Sequence, residues 1–131
     1  MRPTLLGAAA AAIATAMLCI PAAATEAGSA SSLVITAYDG EDTSWPVGSE
    51  VTLKCEPTGG SHTEAEDACA SLTEADGDLD ALPDRELICP EVYQPVTVEV
   101  GGKWNDMVVE FERTYANLCF AFSESDGVFK F

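Results

Sequence analysis

Five short stretches of the chain carry the spacing of strands and one carries that of a helix. Leu33 to Tyr38 is rich in β-branched and aromatic residues. Val51, Leu53 and Cys55 alternate with Thr52, Lys54 and Glu56, the mark of a half-buried strand. Val96, Val98 and Val100 alternate with Thr97 and Glu99, and Gly101-Gly102 predicts a tight hairpin leading to Lys103. On the returning strand, which starts near Trp104, Met107, Val109 and Phe111 face one way and Val108, Glu110 and Glu112 the other. Val128-Phe129-Lys130-Phe131 predicts a short closing strand. Ala65, Ala68, Cys69 and Leu72 fall at i, i+3, i+4 and i+7, so a helix buries Cys69. Thr63-x-x-Glu66 predicts a capping box, with Glu64, Glu66 and Asp67 near the positive helix end. The expected fold is α+β, a five-stranded antiparallel sheet with one or two short helices packed on it.

The chain's start has a different pattern. Arg2, a continuous run of apolar and small residues from Leu5 to Ile20, and Ala22-Ala23-Ala24 predict a secretory signal peptide over residues 1–24. The run is shorter and richer in alanine than a membrane span. Leu18 before Cys19 departs from a lipidation site, which needs a small residue there. Cleavage after Ala24 leaves one domain, residues 25–131, whose first residues, 25–32, read as a flexible arm. All 22 acidic residues lie in it against five basic ones, a net charge of −17, which argues against nucleic acid or an anionic membrane as partner.

The domain holds four cysteines, Cys55, Cys69, Cys89 and Cys119. An even number in an exported domain implies two disulfides; of the three possible connectivities, pairing of sequence neighbours is the simplest. A Cys55–Cys69 bridge would fasten helix to sheet, and each bridge could add about 3 to 4 kcal/mol.

Catalytic chemistry finds little support. The one histidine, His62, stands in a Gly-Gly-Ser-His-Thr turn and reads as a solvated turn residue, with the thiols consumed as disulfides, so no activated nucleophile is expected and the chain does not read as an enzyme. Asp76, Asp78 and Asp80 begin like a calcium loop, but Ala81 replaces its sharp-turn glycine and Leu87 its bidentate glutamate. No zinc ligand set is present. The expectation is no metal and no cofactor.

The most informative stretch is Arg85-Glu86-Leu87-Ile88-Cys89-Pro90-Glu91-Val92-Tyr93-Gln94-Pro95. Pro90 and Pro95 hold φ near about −65° and push Cys89 and Gln94 to extended geometry, so the segment reads as a pre-extended ligand for a partner's cleft. Cys89-Pro90-Glu91-Val92-Tyr93-Gln94-Pro95-Val96 resembles the reactive-site loop of the Streptomyces subtilisin inhibitor family, Cys-Pro-x-Val-Tyr-x-Pro-Val. Further similar segments are Ser32-Leu33-Val34-Ile35-Thr36, Val51-Thr52-Leu53-Lys54-Cys55, Ala68-Cys69-Ala70, Gly77-Asp78-Leu79-x-Ala81-Leu82, Glu112-Arg113, Asn117-x-Cys119 and Val128-Phe129-x-Phe131.

The resemblance implies an exported homodimer with bridges Cys55–Cys69 and Cys89–Cys119. It also implies standard-mechanism inhibition of a secreted serine endopeptidase, with the scissile bond between Glu91 and Val92. Cys89, Pro90, Tyr93, Gln94 and Pro95 would form the protease-binding loop. Asn117, close to Cys119, is a candidate to hydrogen-bond the loop from behind, or else a turn former. A dimer built through a sheet face is also expected because Trp45, Trp104 and five phenylalanines exceed what one helix covers. Glu91 departs from the apolar or basic residue that well-known members carry. It suits a glutamate-specific protease, or a subtilisin-like one that keeps the carboxylate at its pocket mouth. The alternative is a secreted binding module that has lost inhibition.

Overall fold

The computed structural model describes residues 30–131; the segment read as a signal peptide and residues 25–29 of the arm lie outside them. Eight elements follow in order: β1 (Ser31–Tyr38), β2 (Val47–Cys55), β3 (Gly59–Gly60), α1 (Ala65–Glu74), a 3-10 turn (Leu79–Ala81), β4 (Val96–Trp104), β5 (Met107–Tyr115) and α2 (Leu118–Ser123). The strands form one antiparallel sheet ordered β3-β2-β1-β4-β5.

Strand alternation decides the faces. Register places Leu33, Ile35 and Ala37 of β1 beside Leu53 and Val51 of β2 and Val98 and Val100 of β4 on one face. There Ile35, Leu53 and Leu72 of α1 are fully buried. Truncating such a side chain to alanine costs roughly 2 to 5 kcal/mol, so this layer is where the sheet's register is enforced. The Cys55–Cys69 disulfide ties α1 to β2 at one end of the core. The other face carries Val34, Thr36 and Tyr38 among Glu50, Glu99 and Glu112, and Thr36 Oγ1 donates to Glu50 Oε2 at 3.0 Å.

Five expectations are corrected. The arm ends sooner: Ser31 and Ser32 already pair with Cys55 and Lys54, and Ser31 is buried. The β4–β5 hairpin turns at Asn105-Asp106, both at positive φ (47° and 64°), and not at Gly101-Gly102. Two left-handed residues make the tight turn that matches strand twist, and Asn and Asp tolerate that region. Gly102 is needed inside β4 instead, because a Cβ there would lie 2.2 Å from the Ser32 carbonyl oxygen of β1. The fifth strand is Gly59–Gly60, and Val128 to Phe131 forms no strand. Asp126 and Gly127 at positive φ coil the chain so that Val128 and Phe129 drop into the core, where Phe129 meets the rings of Phe111 and Tyr115.

The remaining two lie at the start of α1. Glu64 takes the N-cap position and its side chain makes no cap hydrogen bond, so the expected capping box does not form, and His62 is buried rather than solvated. The imidazole satisfies the helix entry instead, with Nδ1 accepting the Glu64 N–H at 3.0 Å. Nε2 therefore carries the proton and donates to the Val128 carbonyl at 2.7 Å. This one ring joins the helix entry to the C-terminal turn.

Candidate functional site

Residues 82–95, between the 3-10 turn and β4, form no regular element, and Pro90, Glu91, Val92, Tyr93 and Gln94 are all exposed. Three prolines, Pro83, Pro90 and Pro95, and a bound cysteine keep this run from joining a helix or sheet. Its apolar side chains are turned outward: Val92 is 52% exposed, Tyr93 67% and Ile88 fully.

The loop is held from beneath. Cys89 is bonded to Cys119 in the first turn of α2, across a separation of 30 residues. Asn117, 6% exposed, uses its whole amide: Oδ1 accepts the Phe120 N–H at 3.2 Å, capping α2, while Nδ2 donates to Pro90 O and to Val92 O, both at 2.9 Å. One Asn117 side chain thus both contacts the loop and caps α2, and its backbone is extended rather than turned. Carbonyls two residues apart share one side of an extended chain, so with Pro90 O and Val92 O turned inward the Glu91 carbonyl faces away from the protein.

Beyond the Glu91–Val92 bond the chain is held as well. The Gln94 N–H donates to Ala116 O at 2.9 Å, and Val96 enters the sheet opposite Tyr115. Tyr93 Oη donates to Glu41 Oε1 at 2.5 Å, and this bond to a carboxylate raises the phenol above its ordinary value. The Glu41 backbone is itself placed by Thr114, whose Oγ1 donates to Glu41 O at 3.1 Å, and the neighbouring Gly40 O accepts from Thr97 Oγ1 at 2.9 Å.

The residues expected at the site thus lie together: Cys89, Pro90, Glu91, Val92, Tyr93, Gln94 and Pro95 in the loop, Asn117 and Cys119 under it. Cys55 and Cys69 are bonded to each other elsewhere in the core. Glu41 carries no local sign of its contact, since it meets Tyr93 across 52 residues. Ile88 could have been noticed as an apolar residue in a run that forms no element. Among the described residues no group of three or more His, Cys, Asp or Glu side chains is placed to hold a metal ion.

The family model described as subtilisin inhibitor-like matches residues 29–117. Subtilisin inhibitor-like protein 1 of Streptomyces cacaoi is 38% identical over 105 residues, covering 77% of this chain and 96% of its own. Subtilisin inhibitor-like protein 7 of Streptomyces ambofaciens is 42% identical over 104 residues, covering 77% and 95%. Streptomyces caespitosus sermetstatin, solved in complex with Bacillus licheniformis subtilisin, superposes with a TM-score of 0.62 at 31% identity, covering 76% of this chain and 97% of its own. The chain therefore belongs to the subtilisin inhibitor-like family.

Proposed function

We propose that this protein is a secreted inhibitor of serine endopeptidases that works by the standard mechanism at the Glu91–Val92 bond. The observation that carries the reading is the Asn117 amide, which holds the carbonyls on both sides of Glu91 and leaves the Glu91 carbonyl outward. A protease serine attacking that carbonyl forms an acyl-enzyme at Glu91 and frees the Val92 amine. The amine stays beside the ester: Cys89 is tied to Cys119, and Val92 O, Tyr93 and Gln94 are each bonded to the body of the protein. Re-closure is then intramolecular and competes with water.

The test is a titration against subtilisin, trypsin and a glutamyl endopeptidase, followed by N-terminal sequencing after long incubation. Stoichiometric loss of activity in one lane, with Val92 as the new N-terminus, is expected. Cleavage elsewhere would sink the assignment of the bond, and no loss in any lane would leave the non-inhibitory binding module.

Tyr93→Phe removes only the phenolic tie and should weaken inhibition a few-fold. Because the folded phenol titrates above its ordinary value, the tie is fully present below that value and lost as pH rises through the raised one. The ratio of variant to wild-type inhibition constants should therefore stay flat from about pH 6 to 9. A ratio that changes with pH inside this window would show that another group governs the contact.

The same reading includes a homodimer through the outer sheet face. Val34 is 42% exposed there on the central strand and Val108 72%. A two-fold axis through this face can bring Lys54 and Lys103 of one copy against Glu50, Glu99 and Glu112 of the other, since the basic residues lie at one end of the face and these acidic ones toward the other. Light scattering at micromolar concentration should give twice the monomer mass for the wild type and the monomer mass for Val34→Glu. A monomeric wild type would end the proposal.

A further inference from the structure

Arg85 lies six residues before Glu91, at the root of the loop's first flank, and is held by both backbone groups and its side chain. Its N–H donates to Ser123 O at 2.7 Å, and Ser123 Oγ donates back to Arg85 O at 2.6 Å. Its Nε donates to Asp126 Oδ1 at 3.0 Å, and Oδ2 of that carboxylate accepts Ser71 Oγ of α1 at 2.7 Å. The turn carrying Asp126 is shaped for this: Gly127 has φ +78°, and a Cβ on it would lie 2.6 Å from Arg85 Nη1. Ser123 and Asp126 both fall outside the residues matched by the family model.

Four residues later the chain is fixed again, at the Cys89–Cys119 disulfide. Between the two anchors the Leu87 N–H turns back to Arg85 O at 2.8 Å, and Ile88 is fully exposed. Packing cannot hold a side chain so exposed; only the ends of its segment can. A part-exposed ion pair adds little to global stability, but three bonds on one residue fix where the chain sets out.

We propose that Arg85 is a positioning residue for this flank: through Ser123 and Asp126, braced by Ser71, it holds Ile88 outward for contact with the protease. This rests on the inhibitory reading above. Without the Arg85 side chain the segment between buried Leu82 and Cys89 would keep only its backbone bonds to Ser123 and would loosen at that anchor, and Ile88 would lose entropy on binding that it now loses on folding.

The test combines Arg85→Ala and Ile88→Ala, singly and together, in the disulfide-bonded protein against whichever protease of the panel the wild type inhibits. Arg85→Ala should weaken inhibition about ten-fold, and in the Ile88→Ala background should have almost no further effect. Additive losses would overturn the proposal, since a merely structural role would weaken both backgrounds alike. Hydrogen exchange at the amides of Arg85 and Leu87 provides a readout without protease. Asp126→Asn, which like Arg85→Ala leaves the backbone bonds to Ser123 in place and weakens the same tie from its other end, should speed this exchange and show a smaller loss of the same coupling if Arg85→Ala fails to fold. Unchanged exchange in Asp126→Asn would overturn the anchor. A wild type that inhibits nothing would instead remove the functional reading, while exchange still decided whether Arg85 orders the flank.

Discussion

Replacing Cys89 and Cys119 together by serine should turn the protein from an inhibitor into a substrate. The bridge closes a loop whose ends are 30 residues apart, so its loss should cost about 3 to 4 kcal/mol of stability by the chain-entropy model. The functional loss should exceed what that destabilisation explains. Cys89 is two residues before the bond proposed to be cut, and after cleavage the disulfide is the nearest covalent tie from the Glu91 side to α2. Without it the acyl-enzyme end drifts from the Val92 amine and water wins. Protease activity should fall on mixing and recover within the assay as cleaved product accumulates.

The Cys55→Ser, Cys69→Ser variant provides the control. Its bridge spans 14 residues and should cost a comparable amount, about 3 kcal/mol, yet it lies between β2 and α1, away from the loop. Its folded fraction should inhibit as persistently as the wild type. If both double variants inhibited persistently, retention of the leaving group would not depend on the Cys89 tether.

Glu91→Leu should separate the two classes of target. Glu91 is exposed in the free protein, so the substitution should leave stability within about 0.5 kcal/mol and report on the complex alone. Against a subtilisin-like pocket it removes a carboxylate that must be partly desolvated and adds apolar burial, a gain of roughly 1.5 to 3 kcal/mol, or about ten- to hundred-fold in affinity. Against a glutamate-specific protease the sign reverses, because cationic or donor groups in the pocket lose their partner, at a cost of roughly 1.5 to 3 kcal/mol. Inhibition constants for the two enzymes should move in opposite directions. A variant indistinguishable from the wild type on both would mean that another residue fills the pocket.

Elements whose pattern repeats locally are legible in the residues alone. The inward set Leu33, Ile35, Leu53, Val98 and Val100 and the helix stripe Ala68, Cys69 and Leu72 follow from periods of two and 3.6, because burial on one face requires them. The loop is legible for a similar reason, since two prolines and a cysteine leave an extended exposed run few alternatives. Where the local pattern misleads, a distant neighbour has overruled it. Gly101-Gly102 reads as a turn until β1 is laid against it and Gly102 proves to be the residue that lets the Ser32 carbonyl approach. His62 reads as solvated until Val128, 66 residues on, arrives to accept from its ring.

By itself, then, the sequence determined the sheet's inward and outward faces, the helix stripe, the extended loop and the four cysteines available to staple it, all properties of spacing over a few residues. Tertiary structure alone decided what holds the loop in place: Asn117 beneath Pro90 and Val92, Glu41 against Tyr93, and Arg85 against Ser123 and Asp126. These partners lie between 25 and 52 residues apart, and polar side chains of their kinds occur throughout so acidic a chain. Which of them meet is set by strand register and by the coil of the C-terminal turn, and neither leaves a periodic trace in the residues that are brought together.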